Sequence, residues 1–154
     1  MTESAKPCRV LFVCTGNSAR SIMAEALLRH HGGEDFEVFS AGTEPKGLNP
    51  LTLHVLAEAG MQSSDARSKS VDEFIGQQFD YVITVCDQAR QACPVFPGSH
   101  RSLHWGYEDP AAAAGTQEER LGAFRSVFTQ LSSRIAQFVI IVRRGRAGEP
   151  VTLS

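Results

Sequence analysis

The chain has 154 residues, 42% of them hydrophobic and 21% charged, with a formal net charge of -2. That length suits one domain with a substantial core, and the near-neutral balance gives no basic surface of the kind that binds nucleic acid. MTESAKPCRV at the start lacks the apolar stretch of a secretory signal and the longest later apolar run, Phe138 to Val142, is too short to span a bilayer, so the expectation is a cytosolic protein with no membrane partner, whose four cysteines serve as thiols rather than as a permanent disulfide framework.

RVLFVC (Arg9 to Cys14) is a short valine-rich apolar run closed by turn residues, which predicts a buried strand. From Ser18 to His31, Ile22, Met23, Ala26 and Leu27 share one helical face, and Gly32 and Gly33 stop it. FEVFSAG (Phe36 to Gly42) is the second strand. Asn49-Pro50 opens a helix through about Ala59, asparagine being a good cap and proline a good first helical residue. A short helical piece at Val71 to Phe74 leads to a third strand, DYVITVC (Asp80 to Cys86), followed by the helix-prone DQARQAC. Arg101 to Trp105 gives a fourth strand, and Thr116 to about Phe138 the last helix. Strands alternating with helices predict an α/β fold, a parallel sheet covered on both faces. FVIIV is either a strained helix end or a docked extended piece, and the domain is expected to close at residue 143, with residues 144–154 as a solvated tail.

Ligands of an open α/β sheet sit beyond the carboxyl ends of the strands, which is where Cys14 to Ser21 falls. Gly16 and Asn17 accept backbone dihedrals closed to bulkier residues, so successive N–H groups of this loop can turn inward as an anion nest. The following helix adds its positive end, and the Arg20 guanidinium offers two parallel donors to a tetrahedral oxyanion. Those groups should also lower the pKa of Cys14 and make it a poised nucleophile.

Cys14-Thr15-Gly16-Asn17-Ser18-Ala19-Arg20-Ser21, a cysteine, five residues, an arginine and a serine, resembles the signature of the low-molecular-weight protein tyrosine phosphatases and of the arsenate reductases built on the same flavodoxin-like, three-layer fold with four parallel strands. The resemblance runs from about Arg9 to Phe138. It implies Cys14 as nucleophile, Arg20 as oxyanion ligand, Ser21 as hydrogen-bond partner of the thiolate and Asn17 as a brace, with Thr15, Gly16, Ser18 and Ala19 completing the cradle. It also implies a general acid at an aspartate followed by proline, which HWGYEDPA supplies as Asp109-Pro110. The tyrosines that often follow this dipeptide in the phosphatases are replaced here by Ala111 to Ala114, which counts against aryl phosphates as substrates.

VITVCDQARQACPVFPG is similar to the stretch of the reductases that carries two further redox cysteines, here Cys86 and Cys93. That resemblance implies arsenate as substrate, phosphate and sulfate as competing anions, no cofactor, and an external thiol donor, which the internal cysteine pair favours as thioredoxin, with glutaredoxin and glutathione, or mycothiol, as alternatives. A phosphatase acting on phosphotyrosine or small phosphoesters is the competing reading, and an oxyanion-binding or redox-sensing module the third. If Cys86 to Cys93 is helical, the two Cα atoms lie roughly 10 Å apart at about 1.5 Å per residue, beyond the disulfide limit of about 7 Å. The segment must then unwind on oxidation. Cys86 and Cys93 with His100 or His104 lack the paired close spacing of a zinc site, so no metal is expected. Cys8 is expected to be structural. Glu25 and Ser40 match positions that hold potassium in some of the reductases, but Lys69 and Val71 stand where those enzymes have threonine and aspartate, so the ammonium of Lys69 is expected to fill that space.

Overall fold

Cys8–Cys14 form β1, which pairs on one side with β2 (Phe36–Gly42) and on the other with β3 (Tyr81–Thr84); β4 (Arg101–His104) extends the sheet beyond β3. All three pairings are parallel, in the order β2-β1-β3-β4. The helices are α1 (Arg20–Gly32), α2 (Pro50–Glu58), α3 (Asp87–Ala92) and α4 (Gln117–Arg146), with single 3-10 turns at Gly33–Asp35, Val71–Phe74 and Pro110–Ala112. The computed structural model describes residues 6–61, 65–98, 100–146 and 148. The four-stranded parallel α/β architecture is therefore the one expected.

The period of two along the strands separates two aromatic layers. Register sets Phe12 of β1 on the same face as Tyr81 of β3 and Phe36 of β2, and on that face Phe138 of α4 meets Phe36, Tyr81 and Trp105 at centroid distances of 6.1, 5.0 and 5.5 Å. Opposite them, Phe39, Phe74, Phe79 and Phe96 form a chain of edge contacts, with the Arg9 guanidinium over Phe39 and Phe79.

Phe138 explains the largest difference from the sequence expectation. The β-branched run FVIIV continues α4 instead of ending it, because burial of Phe138, Val139 and Val142 outweighs the small intrinsic helix penalty of valine and isoleucine. The helix runs past the expected boundary at 143 to Arg146, and Arg143 bonds the carbonyl of Gly32 at 3.1 Å and Asp35 at 2.9 Å, closing the end of α1. Residues 144–146 are thus helix rather than tail; residues 147 and 149–154 lie outside the described residues. Among the described residues no helix is long and apolar enough to cross a membrane.

Smaller shifts have local causes. Asn49 caps α2 through the Leu51 N–H at 2.9 Å, with Pro50 first, as predicted. α1 starts at Arg20 rather than Ser18 because residues 18 and 19 complete the preceding loop. β3 is shorter than Asp80 to Cys86, since Cys86 already caps α3.

Cys8 lies within β1, buried as expected of a structural thiol, and burial, with Asp80 adding and Arg146 opposing, raises its pKa to about 12 from an ordinary 9.0. Above pH 9 the unfolded chain releases a proton that the folded chain keeps, so this group's contribution to stability is complete below about pH 9 and is lost as pH rises toward 12. Urea unfolding of a Cys8→Ala protein is expected to show a shallower fall of stability between pH 9 and 11 than the native protein; parallel curves would remove Cys8 as a source of the alkaline loss.

Candidate active site

The loop after β1 owes its shape to bonds on its outer side. The carbonyls of Cys14, Thr15, Gly16 and Ser18 accept from the N–H groups of Thr43 (3.1 Å), Glu44 (2.8 Å), Lys46 (2.9 Å) and Asn49 (3.2 Å). Side chains add to this: Ser68 Oγ donates to the Gly16 carbonyl at 3.1 Å and Thr52 Oγ1 to that of Ser18 at 2.8 Å. A trans peptide plane sends each N–H opposite to the preceding carbonyl. With the carbonyls held outward, the N–H groups of Thr15, Gly16, Asn17 and Ala19 are turned to the inner side. The Asn17 N–H there donates to Cys14 Sγ at 3.2 Å.

One dihedral expectation is corrected. Asn17 takes φ 45°, but Gly16 is not left-handed. A Cβ on Gly16 would meet only ordinary contacts with Ser18 and Lys46, at 3.4 Å and beyond. Close approach is required instead at Gly42, where a Cβ would fall 2.6 Å from the Thr15 carbonyl oxygen and 2.9 Å from Asn17 Cβ.

Beneath the loop the polar groups form a continuous chain. Asn17 Nδ2 donates to Ser21 Oγ (2.7 Å) and to Ser40 Oγ (3.1 Å), and Ser21 Oγ lies 2.8 Å from Cys14 Sγ. Because the Ser21 oxygen already accepts from Asn17, its own hydrogen is free to point at the sulfur. Asn17 Oδ1 accepts the Lys69 N–H at 2.9 Å. The Lys69 ammonium then sits 3.3 Å from Ser40 Oγ and 3.7 Å from Glu25 Oε1, while Ser40 donates to Glu25 and Glu25 pairs with Arg29 at 2.6 Å. Lys69 therefore occupies the space between Glu25 and Ser40, as its position in the sequence suggested. Burial lowers its pKa and Glu25 works against that.

The pKa of Cys14 departs from expectation. Burial, the largest cause, pushes its thiol up, and the bonds from Ser21 and Asn17 and the charge of Arg20 pull the other way without overcoming it. The thiolate-favouring groups are present, but Sγ lies in a residue only 2% exposed, and desolvation of a charge outweighs several donors.

Arg20, the first residue of α1, donates from Nη1 to the Tyr107 carbonyl at 2.9 Å and holds Nη2 4.0 Å from Asp109 Oδ1. Asp109 caps the turn that Pro110 begins, accepting the Ala111 N–H at 3.0 Å. Cys14 and Arg20, from one loop, and Asp109, from far along the chain, thus line one cleft of about 170 Å³. Lys46 and Gln88 also line it; Lys46 belongs to no motif, and Gln88 lies in the stretch between Cys86 and Cys93 without any signal there marking it as a cleft residue.

Cys86 and Cys93 stand at the two ends of α3. Cys86 is buried with Sγ 3.2 Å from the hydroxyl of Thr15, the residue after Cys14, and that hydroxyl is 3.3 Å from Gln88 Oε1. Cys93 is half-buried, and its pKa is raised by burial. All four cysteines are reduced. Among the described residues no group of three or more histidine, cysteine, aspartate or glutamate side chains is placed to hold a metal ion.

Residues 9–147 match the family described as low molecular weight phosphotyrosine protein phosphatase. An arsenate reductase of Bacillus licheniformis is 42% identical over 129 residues, spanning 84% of this chain and 93% of its own. The crystal structure of an arsenate reductase from Archaeoglobus fulgidus superposes with a TM-score of 0.69 at 32% identity, covering 84% of this chain and 98% of that one. A thioredoxin-dependent arsenate reductase of Corynebacterium glutamicum gives 0.60 at 34% identity, over 88% of this chain and 65% of its own. The chain belongs to the low molecular weight phosphotyrosine protein phosphatase family, and within that family it is similar to arsenate reductases.

Proposed function

We propose that the protein reduces arsenate to arsenite through Cys14, Cys86 and Cys93, with thioredoxin as the external dithiol. The observation that carries this reading is the placement of α3: it lines the oxyanion cleft through Gln88, holds Cys86 against Thr15 at one end and presents Cys93 at the other. Phosphate-ester hydrolysis needs neither sulfur.

Arsenate enters against the inward N–H groups and the Arg20 guanidinium. A Cys14 thiol beside an arsenate dianion carries the same total charge as a thiolate beside the monoanion, so the S–H proton passes to a bound oxygen as the anion settles. Sγ attacks arsenic, and Asp109 protonates the departing oxygen, which leaves as water; the product is a Cys14 thiol-arsenate adduct. Cys86 next attacks Cys14 Sγ, its S–H proton passing to an oxygen of the departing arsenite. The S–As bond breaks with its electron pair remaining on arsenic, arsenite departs, and a Cys14–Cys86 disulfide is left. Cys93 then attacks Cys86, releasing Cys14 and leaving a Cys86–Cys93 disulfide that thioredoxin reduces by exchange. Two electrons pass from the dithiol to arsenic in each cycle.

Arsenite production with thioredoxin, its reductase and NADPH as sole electron source tests the reading directly. Arsenate-dependent NADPH consumption matched by arsenite is expected, with phosphate and sulfate competing. Hydrolysis of phosphoesters without arsenite formation under any dithiol would instead establish a phosphatase. Asp109→Asn is expected to lower kcat for arsenate about 100-fold, in the range of a lost general acid; an unchanged kcat would place the proton donor elsewhere.

A further inference from the structure

α3 is a weakly anchored helix. It has six residues, of which only Ala89 is buried, and helices this short do not persist without tertiary support. Its first residue, Asp87, is tied to the sheet by a chain of side chains that the steps above do not use. His104, the last residue of β4, places Nε2 2.8 Å from Asp87 Oδ1 and Nδ1 2.7 Å from the hydroxyl of Thr84, the last residue of β3 and its register partner. A carboxylate only accepts, so Nε2 carries the hydrogen toward Asp87. On the neutral ring Nδ1 then accepts from Thr84, which fixes the ring plane from the buried side.

Gly106 supports the same contact. Its φ is not left-handed, so glycine is not demanded there by the backbone. A Cβ on it would instead lie 3.3 Å from His104 Nε2, a tight contact, and 3.6 Å from Asp87 Oδ1, an ordinary one, pressing on the imidazole from the side.

We propose that Thr84, His104 and Asp87 form a latch that holds α3 wound in the dithiol state and opens when Cys86 and Cys93 join, which makes His104 a positioning residue for thiol–disulfide exchange. The inference rests on the proposed Cys86–Cys93 disulfide. A continuous helix keeps the two cysteine Cα atoms roughly 10 Å apart and the disulfide cannot form across that span, so closing it unwinds the residues that Asp87 begins. A contact present in one redox state alone stabilises that state. The latch therefore favours the dithiol and makes the disulfide easier to reduce.

The test is a redox titration of the full-length protein against oxidised and reduced dithiothreitol. The protein dithiol gives two electrons and two protons to oxidised dithiothreitol, forming the protein disulfide and reduced dithiothreitol, and the Cys86–Cys93 pair is quantified by differential alkylation and peptide mass mapping. His104→Ala and Asp87→Ala are each expected to shift the equilibrium about fivefold toward the disulfide, or about 20 mV more negative for this two-electron couple. The double variant should shift no further, because the two residues act through one contact. Thr84→Val, which keeps the buried shape and removes the hydroxyl's bond to His104 Nδ1 together with its longer one to the Leu103 carbonyl, should shift the same way by less, and it serves if a larger change impairs folding. If the native protein pairs Cys86 with Cys93 and the variants titrate as the native protein does, the latch is wrong and the cysteine relay stands. If the native protein forms no Cys86–Cys93 disulfide, both fall.

Discussion

A Cys14→Ser protein is expected to lose arsenate reduction by about 10⁴-fold or more, the scale on which removal of a sole nucleophile acts. Two losses combine. The serine hydroxyl is far less acidic than a thiol and is held in the same buried position beside Ser21 and the Asn17 N–H, and an oxygen at residue 14 cannot accept attack by Cys86 to make a disulfide. The cradle itself should survive, because its carbonyl bonds to residues 43–49 do not involve the sulfur. Thermal unfolding within a few degrees of the native protein, arsenate binding within a few-fold and no arsenite are the expected results. Retention of more than a hundredth of the native rate would mean that another thiol attacks arsenic.

Cys93→Ser is expected to stop the reaction after about one arsenite per protein molecule, with a Cys14–Cys86 disulfide accumulating. Burial supplies the reason: Cys14 and Cys86 are 2% and 5% exposed, so a disulfide between them is shielded from a protein reductant, whereas Cys93 is only partly buried and follows a helix that the proposed Cys86–Cys93 disulfide would unwind. Without Cys93 the oxidising equivalents stay inside. Counting arsenite per protein in the presence of excess thioredoxin, and mapping the disulfide by mass, checks this. Sustained turnover by the variant would show that the reductant reaches Cys14 or Cys86 directly, and the third cysteine would lose its place in the scheme.

These experiments address the roles of individual side chains, which the family relationship alone does not assign to this chain. The similarity to arsenate reductases covers most of the chain at about 40% identity, and it bears on the reaction more than on the residues that perform each step. Lys69 illustrates the difference. Its ammonium lies among Ser40, Glu25 and the Arg67 carbonyl, and its backbone N–H holds Asn17. A single residue thus supports the loop through both its main chain and its side chain.

The sequence was most informative where structure and chemistry are contiguous. β1, the loop and α1 follow one another from Cys8 to Gly32, so an apolar run, a small polar stretch and an arginine were enough to indicate an inward-turned loop with Cys14 against it. The α2 cap was legible for the same reason, since Asn49 bonds an N–H two residues away. Dipeptides such as Asp109-Pro110 carried little by themselves, and their meaning came from resemblance. Burial energetics decided the rest. The acidity of Cys14 depends on how completely the core closes around Sγ, which no local pattern states, and the length of α4 depends on aromatic partners for Phe138 contributed by β2, β3 and residue 105. Lys46 and Gln88 reach the cleft from separate segments, and Thr84, His104 and Asp87 come together from β3, β4 and α3. Their meeting is a property of the parallel sheet, which brings the carboxyl ends of all its strands to one edge while their sequence neighbours diverge.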